Sequence, residues 1–231
     1  MPHRAANRLL GSLTDAERRR WCRAAEPVRM ARGQVLEAPG EPSPHVWFPT
    51  SATVSILYAT ESGASGEIAL VGDEGVIGRS LPPGPGTSRG RAVVSDAGEG
   101  FRIDVRFVLA ELERPGSLAP ALMRFAEAML AQTSQLVVCN RHHRLEQQLC
   151  RLLLSSVDRT ASPLLETTHE WLATRLGVRR EGVSGAVRRL REVGALGGRR
   201  GRIEVIDRSA LEARSCECYA LIAAGRDRTF H

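Results

Sequence analysis

The sequence predicts an α+β chain in three parts: an N-terminal double-stranded β-helix (jelly roll), one long helix, and a compact helical unit closed by a β-hairpin. Three observations point there. Short apolar runs alternate with turn residues through 28–108, an apolar repeat of about 3.5 residues follows from Ser117 to Arg144, and the charge imbalance sits at the C-terminal end. Residues 1–139 carry 15 Arg against 15 acids, whereas residues 140–231 carry 17 Arg against 11 and supply the whole net charge of +6. The expected boundaries are 1–116 for the roll, 117–144 for the long helix and 145–231 for the basic unit.

With 231 residues the chain is long enough to bury two cores, and 42% apolar with 25% charged residues is ordinary for a globular protein. The start, MPHRAANRLLGSLTDAERRRW, lacks the apolar run of a signal peptide, and no stretch of uninterrupted apolar residues is long enough to span a bilayer. A cytoplasmic protein without a membrane partner is the expectation. All 32 basic residues are Arg, which reads as a coding bias. Cys22, Cys139, Cys150, Cys216 and Cys218 are odd in number and scattered, a pattern of free thiols rather than a disulfide framework.

Taken in order, residues 12–26 form an amphipathic helix that Ser12 or Thr14 caps, with Trp21, Cys22 and Ala25 toward a core. The runs VRM, QVLEA, HVWFP, TVSILYA, EIALVG, GVIG, RAVVSD and FRIDV are strands of a small barrel or jelly roll. Residues 79–90 hold three prolines and three glycines and form a loop. In the long helix, Leu122, Phe125, Met129, Gln132, Leu136, Cys139 and His143 follow in steps of three and four. That stripe suits a seam with a second copy, and it equally suits a helix lying on its own roll. A second helix follows, with Leu145, Leu149, Leu152, Leu153 and Val157 on its apolar side.

Residues 168–191 meet the requirements of a helix-turn-helix. Ala173 permits a close helix crossing, and Gly177, four positions later, tolerates the positive φ of the turn. Leu172, Leu176, Val178, Val183, Ala186 and Val187 stand where the two helices touch. The second helix, 179–191, then shows Arg180, Glu181, Ser184, Arg188 and Arg191 on its free face. Its N-terminal residues face base edges in a major groove: Arg180 suits guanine, and Glu181 either accepts from cytosine N4 or pairs with a neighbouring Arg. Arg188, Arg189 and Arg191 are placed for phosphates. In GALGGRRGRIEVID, Gly197, Gly198 and Gly201 permit a hairpin, a wing carrying Arg199, Arg200 and Arg202.

The chain at this point resembles the Crp/Fnr family of bacterial regulators over nearly its full length, most specifically in GVRREGVS at 177–184. The resemblance implies a homodimer on a pseudo-palindromic operator, contact with RNA polymerase, and control by a small-molecule or redox effector. It marks Arg180 and Glu181 as base readers. The residues expected at DNA are Thr168, Arg179, Arg180, Glu181, Ser184, Arg188, Arg189, Arg199, Arg200 and Arg202.

Two departures from the family pattern matter. Members that bind cyclic AMP usually carry another Arg one turn beyond the Glu, where this chain has Gly185. Their phosphate cassette has a Gly-Glu pair, where this chain has Gly78 followed by Arg79. Cyclic AMP is therefore not the expected ligand, and Arg79, Arg89 and Arg91 are the remaining anion candidates. Cluster-bearing members have grouped N-terminal cysteines, whereas Cys22 stands alone, so no iron–sulphur cluster is expected. Cys216-x-Cys218 can pair, oxidise or hold a metal, but the sequence shows it no further ligands, and no metal or cofactor is assigned. A cupin-type enzyme is disfavoured because His45 is the roll's only histidine, and His142 and His143 point about 100° apart on a helix. A roll that binds nothing and serves as a scaffold is the third reading.

Overall fold

The computed structural model describes residues 7–41, 43–78, 90–160 and 162–229. The expected loop at 79–90 lies outside them except for Gly90, and Arg79 and Arg89 with it. The chain enters through α1 (Arg8–Gly11) and α2 (Asp15–Ala24). Thr14 caps α2 in a capping box with Glu17, while Ser12 ends α1. Trp21 is buried edge-on against Phe48 and Phe107, at 5.5 and 5.4 Å between ring centroids. Cys22, expected to share that face, is exposed one step around the helix.

Seven strands follow: β1 (Glu26–Met30), β2 (Val35–Glu37), β3 (His45–Pro49), β4 (Thr53–Ala59), β5 (Ser65–Val71), β6 (Gly90–Asp96) and β7 (Gly98–Asp104). They build two antiparallel sheets, ordered β1-β7-β3 and β2-β6-β4-β5. Met30, Val54, Ala69, Val71, Ala92 and Val94 fill the space between them. The run GVIG makes only an isolated bridge, Ile77 to Trp47. The strand expected at 101–105 stops at Asp104, whose carboxylate accepts from the Arg106 N–H and caps α3 (Val105–Leu112).

α4 (Leu118–His142) runs along the roll. The stripe Leu122 to His143 takes the second of its two expected roles, facing its own chain. Phe125 and Met129 pack on the roll core, the Thr133 hydroxyl donates to the Ile68 carbonyl at 3.0 Å, and Leu136 and Cys139 are buried. Of its large apolar residues, Met123, Leu130, Val137 and Val138 are left outside, the first three exposed at 73%, 68% and 66%. α5 (Leu145–Thr160) is buried continuously from Gln148 to Val157 and forms the spine of the C-terminal unit.

Around that spine lie β8 (Leu164–Glu166), α6 (His169–Leu176), α7 (Arg180–Glu192), β9 (Leu196–Gly197), β10 (Arg202–Val205), α8 (Arg208–Ala213) and α9 (Cys218–Arg228). The wing is a three-stranded sheet, β8-β10-β9. α9 turns back against α4 and α5. Two buried ion pairs join this unit to the roll: Arg175 of α6 with Glu67 of β5 at 2.6 Å, and Arg159 of α5 with Glu74 at 2.7 Å. Among the described residues no helix is long and apolar enough to cross a membrane.

Candidate nucleic-acid interface

The two helices of the 168–191 unit meet as their sequence requires. Thr168 caps α6, its hydroxyl accepting from the Trp171 N–H at 3.1 Å. Gly177 ends α6 at φ +67°, in the left-handed region, and the Ser65 carbonyl oxygen stands 3.2 Å from where a Cβ would lie. Any side chain there meets both strain and the roll. Leu172, Ala173, Leu176, Val183, Ala186, Val187 and Leu190 are buried in the shared core. Val178, expected at this contact, instead stands exposed in the turn.

With that face buried, α7 presents a polar one. Arg180, Glu181, Ser184, Gly185 and Arg188 line a shallow hollow on its outer side, and Gly185 leaves the hollow open because it carries no side chain. Arg179, Arg180 and Glu181 are exposed and have no ion-pair partner among the described residues. Arg179 is the N-cap, and it offers no side-chain acceptor to the first-turn N–H groups. The positive end of the helix dipole and two guanidiniums therefore coincide, a combination that attracts anions.

The other expected contact residues are more constrained. Ser184 shares a 2.9 Å hydrogen bond with His169 Nδ1, tying the two helices. Burial, then the charges of Arg191 and Arg180, hold His169 below the ordinary histidine range. Arg189 donates to Glu146 of α5 at 2.8 Å, and Arg202 to Glu166 at 2.8 Å. Arg188 lies 3.7 Å from Glu192, an exposed pair of small energetic weight. Arg199 and Arg200 are exposed at the tip of the wing, without ion-pair partners among the described residues. Gly198 makes that tip possible: its φ is +98°, and a Cβ would sit 2.4 Å from the Arg202 carbonyl oxygen.

Arg175 leaves the basic surface altogether. Its guanidinium is 3% exposed and donates to Glu67 and to Ser156 Oγ. Arg151 and Arg159 of α5 are likewise withdrawn from the surface, so the Arg count over 140–231 overstates the basic face. The burial of Arg175 follows from its place on α6, on the side that also carries Leu172 and Leu176.

A second site lies between the roll and α4. A cavity of about 470 Å³ is lined there by Ile56, Tyr58, Ile68, Ile77, Leu122, Phe125 and Met129, and among the described residues Glu37 is the one charged side chain at its wall. Arg91, an anion candidate by sequence, is exposed on β6 and does not line it.

Residues 147–214 match the family model described as a Crp-like helix-turn-helix domain. No curated protein matches the chain in sequence. Among solved structures, a Crp/Fnr family regulator from Eubacterium rectale is similar at 15% identity and a TM-score of 0.71, covering 89% of this chain and 96% of that one. FixK2 from Bradyrhizobium japonicum is similar at 17% identity and TM-score 0.67, over 83% and 98% of the two chains. The regulator CLP from Xanthomonas campestris, described as c-di-GMP responsive, is similar at 16% identity and TM-score 0.65, over 84% and 100%. These likenesses show the fold, and the matched domain shows what its C-terminal unit is. Residues 147–214 are thus a Crp-like helix-turn-helix domain, carried on a chain whose fold is that of the Crp/Fnr regulators named above.

Proposed function

We propose that the chain acts as a homodimer that reads a pseudo-palindromic duplex through α7, under control of an effector held between the roll and α4. One observation carries the DNA reading. Arg180 and Glu181 stand exposed on the first turn of α7, without ion-pair partners among the described residues, while the opposite face is locked into the core. In this reading α7 lies in the major groove, Arg180 contacts guanine, and Glu181 accepts from cytosine N4. Arg179, Arg188, Arg199 and Arg200 meet phosphates, as does Thr168 at the start of α6. Arg189 and Arg202 first have to loosen their exposed pairs with Glu146 and Glu166, at small cost. RNA polymerase is the expected downstream partner, and no catalytic role is assigned.

The dimer reading rests on α4. Met123, Leu130 and Val137 are seven residues apart and exposed, with Glu127 and Ser134 between them and Arg141 beyond, at steps of three and four. This is a heptad stripe whose middle and far end, Leu130 and Val137, stand exposed among the described residues, set around the helix from the one singled out by sequence. Met123 belongs both to this stripe and to the rim of the roll cavity, so a bound effector lies next to the dimer seam. The hydrocarbon side chains that the described residues bring to the cavity suit an apolar molecule, and Arg79 stands in the sequence where cyclic-nucleotide binders usually have a Glu. Thermal shift against apolar heterocycles and cyclic AMP checks this, because a ligand selective for the folded state raises the melting temperature.

Fluorescence anisotropy on duplexes across a salt series tests the DNA reading. Each phosphate contact contributes a slope of about −0.9 in log affinity against log salt, so several contacts give a steep fall. Flat dependence on every duplex sinks the reading.

A further inference from the structure

The fold assembles a set of donors that the sequence keeps far apart. Cys139 and His143 lie one turn apart at the end of α4, and Cys216 and Cys218 lie at the start of α9. The thiol and imidazole donor atoms of these four residues all fall within 4.8 Å of one another. By sequence, Cys216-x-Cys218 had no partners and no metal was assigned. The return of α9 against α4 supplies two, across more than seventy residues.

We propose that Cys139, His143, Cys216 and Cys218 form a tetrahedral site for one divalent ion of the zinc class. Zinc–sulphur bonds of about 2.3 Å and zinc–nitrogen bonds of about 2.0–2.1 Å imply tetrahedral edges of about 3.8 Å between sulphurs and about 3.5 Å from sulphur to nitrogen. Cys139 Sγ and Cys216 Sγ are 3.6 Å apart, and Cys218 Sγ is 3.5 Å from His143 Nδ1. The cage has the size of a single ion rather than of a multi-metal cluster. Three sulphurs and one imidazole are a structural zinc set, closed to further ligands.

The surroundings are those of a metal site. His143 Nε2, the nitrogen turned away from the sulphurs, lies 3.2 Å from a Glu217 carboxylate oxygen, which fixes Nδ1 as the ligating nitrogen. Gln135 Nε2 donates to Cys218 Sγ at 3.0 Å, a bond suited to a thiolate. Arg151 of α5 faces Cys139, is 5% exposed, and its Nε has no hydrogen-bond partner among the described residues. A dication with three thiolates and a neutral imidazole carries one net negative charge, which a buried guanidinium offsets. Three buried thiols packed only as small apolar groups would need none of these polar neighbours. His143 also ends α4 at its junction with α5, so a bound ion ties the α9 segment to the joint between the long helix and the DNA-binding unit.

The full chain, purified under reductant and reconstituted with zinc, is assayed for metal per protomer, then loaded with Co²⁺. The proposal expects one zinc per protomer, and the sulphur-to-cobalt charge-transfer band and intense visible bands of a tetrahedral centre. Glu217→Gln, an exposed position whose change leaves all four donors in place, lowers zinc affinity about 10–100-fold in competition with a chromophoric chelator. Cys218→Ser weakens the charge-transfer band, and Cys22→Ser leaves it unchanged. Substoichiometric zinc after reconstitution, cobalt bound without a thiolate band, or a Glu217→Gln chain with unaltered affinity each overturns the site. A metal-free chain joined by a Cys139–Cys216 disulfide also overturns it, in favour of a thiol switch.

Discussion

Arg175 of α6 and Glu67 of β5 form a buried ion pair 2.6 Å long, across the boundary between the helix-turn-helix and the roll. Ser55 donates to the same carboxylate at 2.5 Å, and Ser156 accepts from Arg175 at 3.3 Å, so the charges are solvated by protein instead of water. The first helix of the helix-turn-helix is thereby fixed to the sheet that walls the cavity beneath α4. Such a pair adds little net stability over an apolar one, but removing one partner strands the other.

Glu67→Ala leaves the Arg175 guanidinium buried without its carboxylate and lowers unfolding free energy by about 3–5 kcal/mol. Glu67→Leu with Arg175→Met removes both charges and recovers much of the loss. Urea titrations of the three chains measure both effects. A loss below about 1 kcal/mol for Glu67→Ala would show that the pair is solvated after all.

Arg180→Ala and Arg200→Ala separate base reading from phosphate contact. Arg180→Ala costs about 1–3 kcal/mol at one base pair and flattens discrimination there. Arg200→Ala weakens binding to all duplexes alike and reduces the salt slope by about one unit. Competition binding with single-base operator variants distinguishes them. Uniform weakening by Arg180→Ala would reassign that residue to the backbone.

Leu130→Glu places a carboxylate at the middle of the exposed α4 stripe, opposite its own copy. Sedimentation velocity then gives a monomer where the parent chain gives a dimer, and the far-ultraviolet spectrum is unchanged because the residue touches no core. A Leu130→Glu chain that remains a dimer places the seam elsewhere.

His169 titrates below the ordinary histidine value of about 6.5, so the folded domain prefers the neutral ring. A depressed folded pKa means full stability above about 6.5 and loss as pH falls through the folded value. Ring-proton NMR of the His169 signal checks the direction, and a midpoint above that of a free histidine would contradict it.

The C-terminal motif was the most legible part of the chain, because a helix-turn-helix is local. Ala173, Gly177 and the apolar positions between Leu172 and Val187 are set by spacing within 24 residues. The strands were legible for the same reason, each being a short run between turn residues. What escaped depends on distant pairing. Nothing in EIALVG or in HEWLATRL announces that Glu67 and Arg175 will meet across 108 positions. The 3.5-residue repeat on α4 was correctly found, but a period does not say which neighbour covers the stripe. The roll and α9 took that face, which leaves Met123, Leu130 and Val137 as the exposed apolar stripe. The thiol cluster was hidden for the same reason, since α9 was not foreseen.

The most direct test of the account is enrichment of a random duplex library on the full-length chain, followed by affinity measurement on the winners across salt. The account predicts two-fold symmetric sites, with half-sites about 34 Å apart and a G·C pair in each that Arg180→Ala ceases to select. It also predicts a salt slope reflecting several phosphates per half-site. A library that shows no enrichment, or winners bound equally well by the parent and the Arg180→Ala chain, would contradict it.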